Sequence, residues 1–145
     1  MTTKIPENSW ERFRFLLKEL KQYKGKLFFS KALKQKVIVS GHSVSETAYH
    51  AGKSILSTKL ALRLPYIIEN AKLLYTKQPK DNKQTKTMKF QKIHLLSCGI
   101  RGLGTALLTV GERKSVVKNG KIEKGEMYEY CITDLRFAQK REKRE

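Results

Sequence analysis

Apolar positions fall into two textures, helical spacing through about residue 75 and strand-like runs after residue 88. Residues 1–8 read as a short tail. Trp10, Phe13, Leu16, Leu17 and Leu20 then recur at i, i+3, i+4 and i+7, which predicts an amphipathic docking helix. Asn8 suits its cap with Glu11 three residues on. Lys18, Lys21 and Lys24 load the end where cations favour the helix dipole, and Gly25 suits the stop. Leu27–Phe29 and Val37–Ser40 follow as short β-prone runs separated by the basic link SKALKQK.

Residues 42–75 hold the longest apolar supply. Ser43 and Glu46 have the spacing of a capping box, predicting a helix from about Val44 with Val44, Ala48 and Ala51 on one face. His50, Lys53 and Ser54 lie beside that face. Gly52 weakens the helix by roughly 1 kcal/mol relative to Ala, and Ser57 or Thr58 can restart it. Leu60, Ala61, Leu64, Ile67, Ile68 and Ala71 continue at helical spacing, while Pro65 calls for a kink or a new helix beginning there. Two short helices are expected rather than one long one.

After Leu74 the pattern changes. Lys77, Lys80, Lys83, Lys86, Lys89 and Lys92 recur every third residue through a stretch with turn formers at Gln78-Pro79 and Asp81-Asn82, which predicts an exposed loop. Phe90–Cys98, Leu103–Val110 and Met127–Phe137 then read as strands, with a glycine corner at CGIRGLG and a tight turn at Asn119-Gly120. Leu73–Lys77 can add a strand in front. The fold class is α+β, with N-terminal helices packed on one face of an antiparallel meander of three to four strands. One domain fills 1–145: an amphipathic helix over 1–25, a core over 36–137 and a charged tail over 138–145.

Charge sharpens this picture. Thirty-one Lys and Arg stand against 13 Asp and Glu, a formal net of +18, and the usual compensation for such self-repulsion is a polyanion. Two cysteines, Cys98 and Cys131, fall inside strands and read as buried reduced thiols. With three histidines set singly at 42, 50 and 94, no zinc spacing is formed, and neither metal nor cofactor is expected. No signal-peptide pattern is present and no apolar run approaches the roughly 20 residues of a membrane span, so a soluble protein of a reducing compartment is expected.

No Walker loop, G-x-S-x-G, H-E-x-x-H or Rossmann fingerprint occurs. The residues that can carry chemistry are His50, Lys53, Arg101, Thr109, Arg113, Tyr128 and Tyr130. RNA cleavage needs no metal, because the neighbouring 2′-hydroxyl is the nucleophile. It needs a base, an acid and a cation for the crowded phosphorane, roles that His, Tyr or Thr, and Arg suit. Each also has a plainer reading. His50 in A-Y-H-A suits a half-buried helix position, His42 sits at a helix entry, and His94 alternates with apolar Ile93 and Leu95. Tyr128 and Tyr130, grouped with Ile132 on one strand face, suit either base stacking or packing.

The runs IVSGHSVSETAYHAGKS, LRLPYIIENAKLL, KIHLLSCGI, TALLTVGERK and YEYCITDL resemble, in that order, a phage and mobile-element domain found in large polyvalent proteins. That domain is grouped with the barnase–EndoU–colicin–RelE-like nucleases, and the resemblance covers about residues 36–137. It implies metal-independent ribonuclease activity or an inactive derivative. His50, Lys53, Arg101, Thr109 and Tyr130 are then the catalytic candidates. Lys80, Lys83, Lys86, Lys89, Lys92, Arg113 and Tyr128 are the nucleic-acid-binding ones. The Trp10 helix lies outside the resemblance. The expected function is RNA targeting in a bacterial host cytoplasm, RNA being favoured over DNA. The alternative is a non-catalytic module that inhibits a host nucleoprotein defence complex. An inhibitor protein is a further expected partner; a membrane is not.

Overall fold

A computed structural model describes residues 4–79 and 89–135. Helix α1 (Ser9–Leu20) starts where Asn8 accepts a hydrogen bond from the Glu11 amide, and a single 3-10 turn over Lys21–Tyr23 ends it before Gly25. Leu16 and Leu20 are fully buried. Each contributes about 1.5–3 kcal/mol relative to exposure. Trp10, expected on the apolar face, is instead 66% exposed and stacks on Phe13. Its place in the interior is taken by Arg12, whose guanidinium donates to the carbonyls of Pro6, Glu7, Gly52 and Lys53 and so ties α1 to the end of the next helix.

Strands β1 (Leu27–Ser30) and β2 (Gln35–Ile38) form an antiparallel hairpin. Helix α2 (Gly41–Ala51) begins three residues earlier than Val44. Ser40, in an extended conformation, is the cap: its hydroxyl accepts from the Ser43 amide while the Ser43 hydroxyl accepts from the Ser40 amide. The expected Ser43–Glu46 box is thereby replaced, because a serine one turn upstream already satisfies those donors. Glu46 is left free for other partners.

The restart also shifts. Ser54, not Ser57 or Thr58, caps α3 (Ile55–Ala61). Ser57 instead accepts from the backbone amide of Asp134, and Thr58 donates to the carbonyls of Ala51 and Ser54. Helix α4 (Leu64–Asn70) starts around Pro65, as its missing amide favours. Three short helices thus occupy the stretch expected to hold two.

The sheet continues with β3 (Lys72–Lys77), β4 (Phe90–Ile100) and β5 (Gly104–Arg113). A small hairpin of β6 (Val116–Lys118) and β7 (Lys121–Glu123) precedes β8 (Met127–Asp134). The expected meander is present as β3-β4-β5-β8, and the β1–β2 hairpin extends it: the order is β1-β2-β8-β5-β4-β3, with β2 parallel to β8. Six strands replace the expected three to four, because the early β-prone pair joins the edge of β8. The Asn119-Gly120 turn is real, with both residues at positive φ, but it closes β6–β7 as a separate two-stranded sheet.

The helices cover one sheet face. There Leu96, Cys98, Ile100, Ala106, Leu108, Val110, Met127 and Ile132 meet the apolar sides of α1 to α4. On the opposite face Phe90, Ile93, Leu95 and Leu107 form a second cluster with Tyr128 and Tyr130 against it. A register shift opposite Thr109/Val110 separates the tyrosines from Ile132. The expectation that all three share a face is therefore corrected, since a bulge resets the alternation of a strand. The charged tail over 138–145 lies outside the described residues.

Candidate nucleic-acid interface

Residues four apart share a helix face, so α2 presents His42, Glu46 and His50 in one row. His50 Nε2 lies 3.2 Å from one Glu46 carboxyl oxygen, and His42 Nε2 lies 3.6 Å from the other. The second approach is too long for a hydrogen bond, and His42 Nε2 has no hydrogen-bond partner among the described residues. Tyr130 approaches the same row from β8, its ring centroid 6.3 Å from that of His42 and its hydroxyl hydrogen-bonded to Glu46. Burial, reinforced by Glu46, pushes the Tyr130 phenol well above its ordinary value.

Beneath this row lies Glu129, fully buried between β8 and α2. Thr47 donates to its Oε2 at 2.7 Å, and its Oε1 has no partner among the described residues. Burial first, and Glu46 to a smaller degree, raise this carboxyl from 4.5 to about 8, while the Thr47 hydrogen bond pulls the other way. Glu129 is therefore neutral at pH 7. A second polar set is closed off. His94, 7% exposed, is held between Thr76 Oγ1 at 2.7 Å and Glu112 Oε1 at 2.9 Å, which makes it a bridge between strands β3, β4 and β5.

The surface carries a different pattern. Lys53 lies over the exposed ring of Tyr49 at 4.5 Å, Arg63 over the exposed ring of Tyr66 at 5.1 Å, and Arg113 over Tyr128 at 4.3 Å. Each pair joins a positive charge to a flat π-face.

The sequence-chosen residues thus separate. His50 and Tyr130 meet through Glu46. Lys53 belongs to the Tyr49 pair instead. Arg101 lies exposed in the β4–β5 turn, and Thr109 sits five residues beyond Gly104 along β5, opposite Cys131. Five residues of strand span about 16 Å, which is beyond the reach of an arginine side chain from that turn. Arg101 is therefore not gathered with Tyr130. Lys89 and Lys92 are exposed at the start of β4, and Lys80, Lys83 and Lys86 lie outside the described residues. Cys98 is buried, which raises its thiol with Arg63 partly opposing, whereas Cys131 is only half-buried; neither forms a disulfide.

Sequence reasoning assigned Glu46 to a cap and passed over Glu129, Tyr49, Arg63 and Tyr66. The His42–Glu46–His50 spacing was a visible signal; the burial of Glu129 had none. Among the described residues, no set of three or more His, Cys, Asp or Glu is grouped to hold a metal ion, and no helix is long and apolar enough to cross a membrane.

These features define a basic α+β domain with an acid–base row on one helix and cation-capped tyrosines on its surface. The chain belongs to the family of large polyvalent protein-associated domain 3, whose family model matches residues 11–128. The match starts inside α1, so the N-terminal helix is part of the family's domain rather than outside it, in keeping with its packing against α2. No curated protein and no solved structure matches the chain.

Proposed function

We propose that this domain binds RNA, gripping single-stranded segments through its cation-capped tyrosines. The observation that carries this is the set of three pairs, Lys53–Tyr49, Arg63–Tyr66 and Arg113–Tyr128, in a chain of net charge +18. A base can stack on the exposed rings of Tyr49 and Tyr66 while the neighbouring cation meets phosphate; Tyr128 is half-buried and leaves Arg113 as the contact there. Base–aromatic stacking contributes about 1–3 kcal/mol per base, and the phosphate contacts add a salt-dependent share. A bacterial host cytoplasm suits two cysteines that form no disulfide, and a host ribonucleoprotein of the defence type would offer such RNA.

The test is fluorescence anisotropy with a labelled single-stranded RNA and the matching DNA across a salt series. Binding that weakens with salt, favours RNA and falls about tenfold in Tyr49→Ala and in Tyr66→Ala supports the reading. Affinity indifferent to both substitutions would remove it.

A second reading, cleavage by a nuclease of the barnase–EndoU–colicin–RelE-like type, is favoured by one observation. His50 and Tyr130 both contact Glu46, giving an acid–base group beside a raised phenol. Here His50 would take or return the 2′-hydroxyl proton, and Glu46 would hold its ring in place. Incubation with mixed RNA in excess EDTA tests this. Cleavage lost in His50→Ala supports it, and intact RNA that still shifts on a gel excludes it in favour of binding alone.

A further inference from the structure

Residues 113–126 form an arm whose base is fixed and whose strands stand apart from the main sheet. At the base the Arg113 amide donates to the Glu126 carbonyl at 2.9 Å, and Gln35 Nε2 donates to the Gly125 carbonyl at 3.0 Å. Gly125 passes so near that a Cβ there would sit 1.7 Å from the Arg113 carbonyl oxygen. Beyond this clamp, residues 114–124 are all exposed. From Arg113 to Asn119 the arm extends by about 20 Å at the usual rise of a strand.

Alternation assigns its faces. Val117 and Ile122 are cross-strand partners and share one face at 71% and 79% exposure. Lys118 pairs with Lys121 at the tip, and Val116 with Glu123 behind it. Lys114 and Lys124 flank the strands, and Glu123 lies 3.9 Å from Lys118. A lone two-stranded hairpin is marginal in water, so this exposed arm is better matched to a partner than to self-support.

We propose that this arm docks on double-helical RNA, laying its Lys118–Lys121 face across the minor groove with the lysines at the flanking phosphates and ribose hydroxyls, and Val117 and Ile122 on the face turned away. This rests on the RNA-binding reading above and adds to it a second ligand form and a separate site. Charge complementarity selects a polyanion: four lysines face one glutamate in the exposed part of the arm. The absence of any Phe, Tyr or Trp in 113–126 argues against a single strand, since nothing in the arm can stack on a base. The A-form minor groove is wide and shallow and displays riboses, so a flat ribbon can lie on it. The minor groove of B-form DNA, about 6 Å wide, is too narrow for two strands about 4.8 Å apart with their side chains. Its major groove admits a ribbon but displays no ribose hydroxyls to the lysines, and the DNA duplex is therefore one probe of the test.

The experiment uses the full chain and three labelled probes of equal length: an RNA duplex, one of its strands alone, and the DNA duplex of the same sequence. Two variants are compared with the parent, Lys118→Ala/Lys121→Ala/Lys124→Ala and Val117→Ser/Ile122→Ser. Both change only exposed side chains outside the main sheet, so their thermal melts should match the parent. The lysine variant is expected to lose at least tenfold in affinity for the RNA duplex, with the log–log salt slope reduced by about two to three. The serine variant changes only the face turned away from the lysines, so it is expected to keep the parent's duplex affinity. Neither should change single-strand binding. Unchanged duplex affinity in the lysine variant, a larger loss in the serine variant than in the lysine one, an equal loss on duplex and single strand, or equal affinity for the DNA duplex would each overturn the proposal. So would binding of the arm to anionic phosphatidylserine vesicles or an acidic polypeptide in preference to the duplex. If single-stranded RNA fails to bind while the duplex does so through the arm, the tyrosine reading falls and this one stands.

Discussion

Glu129 offers the most quantitative test of the architecture. Its carboxyl is fully buried where α2 meets β8, and burial raises it from 4.5 to about 8. The folded protein therefore keeps a proton that the unfolded chain releases above pH 4.5. Stability from this group is intact below pH 4.5, declines as pH rises, and the loss levels off above about pH 8. At 1.36 kcal/mol per pH unit, the loss is about 3 kcal/mol at pH 7 and about 5 kcal/mol above pH 8. Glu129→Gln keeps the size and the oxygen that accepts from Thr47 but carries no proton to lose. Thermal and urea melts of both proteins from pH 4.5 to 9 isolate the effect, because the other titrating groups are common to both. The curves should nearly coincide at pH 4.5 and part steadily above it. By pH 7 the glutamine protein should melt roughly 10 °C higher, at about 2–4 °C per kcal/mol for a domain of this size. Parallel profiles across the range, or a glutamine protein that melts lower at pH 8, would refute the reasoning.

Two further outcomes follow from single contacts. Arg12→Met keeps the apolar stem but leaves the carbonyls of Gly52 and Lys53 without their guanidinium donor; it should cost about 2–4 kcal/mol by urea denaturation, and RNA affinity of the folded fraction should not change. Gly125→Ala places a Cβ against the Arg113 carbonyl, so the arm's base must open; amide exchange at Arg113 should accelerate by tenfold or more while the α1–α2 amides stay protected.

Local signals located most elements because each is set by a local cause. Asn8 caps α1 through its own side chain, Pro65 opens α4 because its ring suits a first turn, and Asn119-Gly120 closes a hairpin because both residues tolerate positive φ. What could not be read depends on chain segments far apart in sequence. The Val37↔Met127 pairing joins a strand near the start to one near the end and turns a four-stranded meander into a six-stranded sheet. No periodicity within either segment carries that information. Arg12 is another case: on a helical wheel it is a surface cation, and its burial is satisfied in part by the Gly52 and Lys53 carbonyls, 40 and 41 residues away, which no local pattern announces.

The candidate site shows how one local choice propagates. Two capping boxes compete at the start of α2, Ser40–Ser43 and Ser43–Glu46, and they differ by one turn. Because Ser40 takes the cap, Ser43 is consumed as its reciprocal partner and Glu46 is released to the helix surface. There it lies between His42 and His50 and meets Tyr130, whose position depends in turn on the bulge near the middle of β8. Had the later box formed, Glu46 would satisfy a backbone amide and the two histidines would lack their shared carboxylate. The acid–base row thus follows from which of two serines caps the helix. Ser40→Ala separates the cases: it should cost about 1 kcal/mol if the helix only loses a cap. A transfer of the cap to Ser43 would draw Glu46 away and shift the imidazole resonances of His42 and His50 together. Loss of stability with both resonances unmoved would show that Glu46 holds its place without the upstream cap.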